Sequence, residues 1–323
     1  MEKQTQELIS IVVPAYNEQE VLPEFHRRIG KVLSSLNTEA EIIYINDGSN
    51  DRTLQVLQQL RDTDDRVAIL DLSRNFGKEI AMTAGLHQAK GDAVVVIDAD
   101  LQDPPELIPE LISEWKNGFD VVYARRKRRE GETFLKKVTA HTFYRLMQKV
   151  GDVNLPKDAG DFRLLSRRAI EALNTLGERH RFMKGLFAWI GFRQKSVPYE
   201  RDPRHAGETK WNYWKLWNFA IEGFTSFTTA PLKFATYIGF LTALGAFAYG
   251  LFIIVRTLLY GNPVPGYPSI IVIVLFLGGI QLMAIGVLGE YIGRIFTETK
   301  RRPLYFINKY YPRRDNAEFH GKT

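Results

Sequence analysis

Residues 94–106 read VVVIDADLQDPPE. Val94, Val95, Val96 and Ile97 are β-branched and uncharged, the composition of a strand buried on both faces of a sheet. Asp98 and Asp100 stand where that strand leaves the sheet. Pro104 and Pro105 end it, because neither can donate a ladder hydrogen bond. In an open α/β sheet, ligands bind outside the carboxyl ends of the strands. Side chains alternate along an extended chain, so Asp98 and Asp100 are expected on one side. Paired carboxylates suit a hard divalent cation that also holds phosphate oxygens. Asp-x-Asp alone is common in surface turns. The buried run before it and Gln102-Asp103-Pro104-Pro105 after it favour a binding edge.

The same design recurs towards the N-terminus. Residues 9–18, ISIVVPAYNE, and 41–51, EIIYINDGSND, are apolar runs that end in polar residues. A third apolar run, 67–72, leads into SRNFGK at 73–78, and helical spacing covers 19–36, 53–60 and 81–89. Strands alternating with helices predict a parallel, doubly wound sheet. Its carboxyl edge would carry Tyr16, Glu18, Asp47, Arg74, Asp98 and Asp100. No Gly-x-Gly-x-x-Gly follows the first strand and no Walker lysine loop occurs, so dinucleotide oxidoreductases and P-loop NTPases lose support. A further strand is predicted at 120–124, then the basic run RRKRR at 125–129, read in its middle as a solvated loop. Residues 134–149 have the spacing of an amphipathic helix carrying Lys137 and His141. DAGDFR at 158–163 is expected to open another helix, with Asp158 or Asp161 able to serve as its N-cap.

Charge divides the chain. Charged residues make up 25% of the 323 residues, yet almost vanish between 234 and 289. Segments 234–255 and 269–289 are uncharged, and each exceeds the roughly 20 residues needed to cross a bilayer core. Trp211, Trp214 and Trp217 precede them, as suits a membrane interface. The connection 260–268 is short and uncharged, whereas both outer flanks are basic: Lys210, Lys215 and Lys233 before, Arg294, Lys300, Arg301 and Arg302 after. By the positive-inside rule the connection lies outside and both termini are cytoplasmic. No positive n-region precedes an apolar core at the N-terminus, so no signal peptide is expected. The absence of cysteine excludes disulfides and thiolate metal sites. The net charge of +6 clusters near the spans rather than with base-reading motifs, which argues against nucleic acid.

VVPAYNE, INDGSNDRT, RNFGKEIAMTAGL, DADLQDPPE, DFRLLSRRA, RHAGETKW and LGEYIGRI together resemble the family 2 glycosyltransferases. Within them the chain is similar to the polyprenyl-phosphate glycosyltransferases, which include dolichyl-phosphate mannose synthases and bactoprenol glucosyltransferases. The resemblance implies an α/β fold: a GT-A (Rossmann-like) doubly wound sheet, then interfacial amphipathic helices and a two-helix transmembrane hairpin. The expected divisions are a cytoplasmic catalytic domain at 1–200, a donor loop with interface helices at 201–232, two transmembrane helices at 233–293 and a cytoplasmic tail at 294–323. The late LGEYIGRI segment looks most like the bactoprenol branch, where the sugar is usually glucose.

The resemblance also implies roles. Pro14, Tyr16, Glu18 and Asp47 would hold the nucleotide base and ribose. Asp98 matches the family's ribose- and metal-side aspartate, and Asp100 with Gln102 its Mg²⁺ or Mn²⁺ ligands. Arg201, Arg204 and Lys210 match a loop that closes over the donor, where arginine suits bidentate phosphate binding. Arg125, Lys137 and His141 are candidates for the acceptor phosphate. That phosphate, with a second pKa near 6, is mostly dianionic at pH 7 and needs little help from a base. Asp158 and Asp161 could supply one, but orienting the acceptor site is the favoured role. The implied reaction is an inverting transfer of glucose from UDP-glucose to undecaprenyl phosphate at a bacterial inner membrane, and it is compatible with a homo-oligomer. Alternatives are a mannose or aminoarabinose donor, or an inactive membrane scaffold with a glycosyltransferase-like head.

Overall fold

The computed structural model describes residues 7–36, 38–126, 159–179, 181–200, 230–261 and 266–314. Lys137, His141, Asp158, Arg201, Arg204 and Lys210 lie outside the described residues, as do the expected helix at 134–149 and the interface segment 211–229.

An eight-stranded sheet forms the centre, in the order β7-β5-β6-β4-β1-β2-β3-β8. Its strands are β1 (Leu8–Ala15), β2 (Glu39–Asn46), β3 (Val67–Leu72), β4 (Ala93–Val96), β5 (Val121–Arg126), β6 (Ala159–Ser166), β7 (Gln194–Tyr199) and β8 (Ile307–Tyr311). β1 lies between β2 and β4, parallel to both. The strand order reverses beside β1, the point where an α/β sheet opens a crevice for ligands. The helices of the head are α1 (Leu22–Ser35), α2 (Thr53–Thr63), α3 (Lys78–Gln88), α4 (Ile108–Lys116), α5 (Arg167–Thr175) and α6 (Met183–Trp189).

Alternation along β1 divides the core into two layers. Ile9, Ile11 and Val13 face a cluster that includes Leu22, Phe25 and Ile29 of α1 and Leu111 of α4. Val12, with Val94 and Val96 of β4, faces Ala81 and Met82 of α3 and Leu186 and Phe187 of α6. The apolar positions of α1 recur at Leu22, Phe25, Ile29, Val32 and Leu33, one stripe of a 3.6-residue period. Gly85 of α3 lets that helix settle onto the sheet, since a Cβ there would come within 2.4 Å of Val12 Cγ1.

One segment departs from the sequence reading. Residues 158–163 were expected to open a helix; instead β6 runs from Ala159 to Ser166, antiparallel to both β4 and β5. Its alternation sends Phe162 and Leu164 to one core layer and Leu165 to the other. The helix starts one step later, capped by Ser166, whose hydroxyl accepts from Ala169 N, so neither aspartate is the cap. The sheet is therefore mixed rather than all parallel. In the tail, residues 305–311, read from the sequence as a short strand or helix, contain a strand. β8 pairs antiparallel with β3 at the sheet's edge, where Asn308 donates to Asp71 (2.7 Å) and Gln58 to the Tyr311 hydroxyl (2.9 Å).

α7 (Ala230–Tyr260) and α8 (Tyr267–Thr299) contain 31 and 33 residues. At about 1.5 Å per residue each exceeds the roughly 30 Å of a bilayer's hydrocarbon core. Pro231–Tyr260 and Val272–Thr299 are long and apolar enough to cross a membrane, and the most apolar window of each has no buried residue. Phe240, Phe247, Leu258 and Leu282 all stand exposed on them. An apolar face of this size is covered by lipid or protein rather than water.

Behind β2, Gly48 adopts φ +61°, and a Cβ there would lie 2.3 Å from Arg74 C and 2.4 Å from Asn75 N. Gly77 adopts φ +97° with open space around its Cα. Gly48→Ala therefore meets both a torsional cost and a backbone clash, Gly77→Ala only the first. Thermal unfolding in detergent should show Gly48→Ala destabilised by about 2 kcal/mol or more, and Gly77→Ala by about 1. Equal losses would mean that the close approach of the 73–77 loop does not constrain position 48.

Candidate functional site

The carboxyl ends of β1, β2 and β4 and the amino end of β6 meet at the N-terminus of α3. Loops after β1 and β2 are tied together: Asn17 N donates to Ser49 Oγ (3.0 Å), Glu18 N to Thr53 Oγ1 (2.9 Å) and Asn50 N to Asn17 Oδ1 (2.9 Å). Asn17 sits at φ 54°, a left-handed conformation that asparagine tolerates better than most residues. Pro14, opposite Ile45 in the ladder, and Tyr16 and Glu18 beyond it are all half-buried around this junction.

Asp47 is 3% exposed, and its two carboxylate oxygens accept from Phe76 N (2.7 Å) and Gly77 N (2.9 Å). The carboxylate thereby closes the loop that delivers α3. Burial pushes its pKa up, more than the two N–H donors and the nearby Arg74 pull it down.

β4 ends at Val96, and the chain turns at Ala99 and Asp100, so the extended alternation assumed for 98–100 does not hold. Leu101 is buried at φ 58°, a conformation that costs a bulky residue on the order of 1–3 kcal/mol and persists where the surroundings impose it. Asp100 Oδ1 accepts from Gln102 N (3.1 Å) across this tight turn. Asp103, 2% exposed, accepts from the Tyr199 hydroxyl, and Arg126 Nε donates to the same hydroxyl oxygen (3.3 Å). The acidic turn is thus fastened to the last residue of β7, next to the segment that carries Arg201 in sequence.

The register of β4 and β6 pairs Val96 with Arg163. Two residues further along, Asp98 and Asp161 come opposite each other beyond the paired stretch. Lys78, the first residue of α3, lies between them. Its ammonium donates to Asp98 Oδ2 (2.7 Å) and to Asp161 Oδ2. Lys184 Nζ lies 3.9 Å from Asp161 Oδ1. Burial works against ionising Asp161, but Lys78, Lys184 and Arg163 outweigh it and hold the carboxyl well below the usual range. Asp98 is pushed the other way: burial, with Asp161 and Asp103 nearby, raises it despite Lys78. The packing around Lys78 disfavours its charge, and Asp161 and Asp98 reverse this, leaving it well above the ordinary lysine value. Glu79, which accepts from Met183 N (3.2 Å), is driven up to about 7 by burial and by Asp161. Arg163 stacks over the Phe187 ring at 3.8 Å and donates to Gly160 O (2.7 Å). Arg125 is exposed at the end of β5, where the ladder pairs it with Ala159.

The structure therefore brings Asp47, Asp98 and Asp161 around one helix N-terminus, whose partial positive charge favours carboxylates. Asp100 and Gln102 stand in the adjoining turn. Sequence reasoning passed over Lys78, Glu79, Asp103, Lys184 and Tyr199. Lys78 carried a legible signal: a cation directly after a glycine between a strand and a helix, in a protein whose strand ends are acidic.

Among the described residues no group of three or more His, Asp or Glu side chains forms a metal cage. A hard cation that keeps waters and takes phosphate oxygens needs only one or two carboxylates from the protein. Asp98, Asp100 and Gln102 offer oxygen donors, the chemistry that suits Mg²⁺ or Mn²⁺.

Residues 10–173 match the family described as Glycosyl transferase family 2, and residues 230–295 match the one described as GtrB C-terminal hairpin. A prophage bactoprenol glucosyl transferase homolog of Escherichia coli (strain K12) is 49% identical over 301 residues, spanning 93% of this chain and 98% of that protein. The bactoprenol glucosyl transferase of Shigella phage SfII is 50% identical over 301 residues, 93% of this chain and 97% of its own. Among solved structures, mannosyl-3-phosphoglycerate synthase from Rubrobacter xylanophilus is 17% identical, with a TM-score of 0.47 over 81% of this chain and 79% of that one. A head matched over β1 to α5 and a hairpin matched over both apolar helices leave one assignment: the chain is an enzyme of glycosyl transferase family 2.

Proposed function

We propose that this glycosyltransferase moves glucose from UDP-glucose to undecaprenyl phosphate, with inversion, at the cytoplasmic face of a bacterial inner membrane. The observation that carries this reading is the pairing of a family 2 head with the GtrB hairpin, in relatives named bactoprenol glucosyl transferase that match 93% of the chain. A lipid acceptor requires a catalytic head tied to a bilayer. The tail strand β8 supports this, because it joins the head's sheet immediately after the second apolar helix.

In the proposed reaction, an oxygen of the lipid phosphate forms a bond to C1 of the glucose as the C1–O bond to the diphosphate breaks. UDP leaves with the electron pair, and a single in-line displacement inverts the centre to a β-linked lipid-phosphate glucose. Such a product would be used outside the cytoplasm, for instance in O-antigen glucosylation. Pro14, Tyr16, Glu18 and Asp47 would hold the nucleotide. A carboxylate oxygen has more than one lone pair, so Asp47 can accept a uracil N–H while closing its loop. Asp98, Asp100 and Gln102 would hold Mg²⁺ or Mn²⁺, which supplies counter-charge to the departing diphosphate. Arg201, Arg204 and Lys210 would close over the donor, and Arg125, Lys137 and His141 would hold the acceptor phosphate. The depressed pKa of Asp161 makes it a poor proton acceptor, which supports a role in orientation for it, with Asp158, rather than as a base.

The decisive experiment incubates the purified protein with undecaprenyl phosphate and a panel of radiolabelled nucleotide sugars. Lipid-linked label is expected from UDP-glucose; exclusive use of another sugar would replace glucose in this reading, and no transfer from any would defeat it. In the same assay Asp100→Ala should lose about 100-fold or more in turnover. Near-normal wild-type activity in EDTA would remove the metal from the scheme.

Topology is tested separately. A reporter inserted within 262–267 should read as periplasmic and one after Thr323 as cytoplasmic, given the uncharged connection and basic flanks. Termini in opposite compartments would contradict a two-span hairpin.

A further inference from the structure

Lys78 has no part in the scheme above, yet it makes the most charged contact of the site. Asp98 lies two residues past the end of β4 and Asp161 lies in β6, and the two come opposite each other just past the β4–β6 ladder. Like charges directly opposite each other on neighbouring strands repel. The Asp98 side chain is 25% exposed and the Asp161 side chain 10%, so water screens that repulsion only in part. Lys78 reaches both, at 2.7 Å to Asp98 and closer still to Asp161. Its backbone position is fixed: Gly77 turns at φ +97°, and Phe76 and Gly77 are pinned by Asp47. A bridge with this much support does more than decorate a surface.

We propose that Lys78 is a positioning residue for glycosyl transfer, which sets the gap between the donor-side carboxylate Asp98 and the acceptor-side carboxylate Asp161. The inference rests on the glycosyltransferase reading of the site and adds to it a cation that acts through two other side chains. The three elements that Lys78 joins each carry one half of the reaction or the hinge between them. β4 leads into the Asp98–Asp100 turn, β6 carries Asp161, and α3 starts from the loop that Asp47 holds. With the ammonium present, the two carboxylates are held side by side. Without it they turn apart, and the sugar's C1 and the acceptor oxygen lose their alignment. The uracil end of the cleft, built on β1 and β2 around Asp47, does not depend on the bridge, and on the ribose and metal side Asp98 is one of several groups. The cost should therefore fall more heavily on turnover than on nucleotide binding.

The test compares Lys78→Met, Lys78→Arg and the double variant Lys78→Met/Asp161→Asn as full-length protein in detergent. It uses steady-state kinetics with UDP-glucose and undecaprenyl phosphate, UDP binding by calorimetry, and thermal unfolding. Lys78→Met should lose on the order of 100-fold in kcat, the penalty of a misplacement near 1 Å. Its UDP affinity should fall by no more than about tenfold, well short of the loss in kcat. Lys78→Arg, which can still span both carboxylates, should recover at least a tenth of wild-type kcat. If Lys78→Met does not fold, removal of the opposing charge in the double variant should restore its unfolding transition, and Lys78→Arg then decides the kinetic question. A folded Lys78→Met with kcat within threefold of wild type overturns the proposal. So does a folded Lys78→Arg as inactive as the Met variant, or a loss seen equally in UDP affinity. Failure of the wild type to transfer any sugar would instead defeat the parent reading, which separates the two.

Discussion

Acidic side chains gathered at the end of a parallel sheet must be compensated, and that constraint organises this protein's head. The compensation comes from the first turn of α3. Backbone N–H groups of Phe76 and Gly77 take the Asp47 carboxylate, and the Lys78 ammonium takes Asp98 and Asp161. Each contact is charge-assisted, and those of Asp47 and Asp161 are the better shielded from water, which strengthens such bonds. The helix axis adds its own positive end. Removing Asp47 would leave two backbone donors without their partner; removing Lys78 would leave Asp98 and Asp161 facing each other uncompensated.

This arrangement explains why the local backbone is unusual where it is. Gly48 is small because the loop leading to α3 passes over it. Leu101 and Asn17 accept left-handed torsions at the turns after β4 and β1. Strain of this kind persists only where the surroundings over-determine it. Here Asp103 is locked to Tyr199, and the 17–19 and 49–53 segments are cross-linked by hydrogen bonds. The result is a cross-linked rim along the carboxyl ends of β1, β2 and β4, the pre-organisation that group transfer exploits.

The same sheet also binds the membrane end of the chain. β8 closes the edge beside β3, Glu298 of α8 accepts from Arg179 N (2.7 Å), and the Tyr305 hydroxyl meets His87 Nδ1 at 3.0 Å. β8 takes up the outer pairing sites of β3 and is itself the short strand at the sheet's edge, the form in which edges are tolerated. Through these contacts the apolar hairpin is joined to the head at its base and not through residues 201–229 alone.

The alternation of strands and helices, the acidic strand ends at Asp47, Asp98 and Asp100, and the two apolar helices are all legible in the amino-acid sequence. These follow from local composition, because a buried strand needs an apolar run and a bilayer needs a long one. It did not determine that 158–163 would be extended. A short amphipathic run is ambiguous between helix and strand, and only the vacant place between β4 and β5 settles it. It left residues 305–311 open between a short strand and a helix, and could not show that they pair with β3, since that pairing spans more than two hundred residues. The Lys78 bridge belongs to the same class. Lys78, Asp98 and Asp161 are each legible as charged residues near element ends, but their meeting depends on the β4–β6 register and the docking of α3, which only the tertiary structure decides.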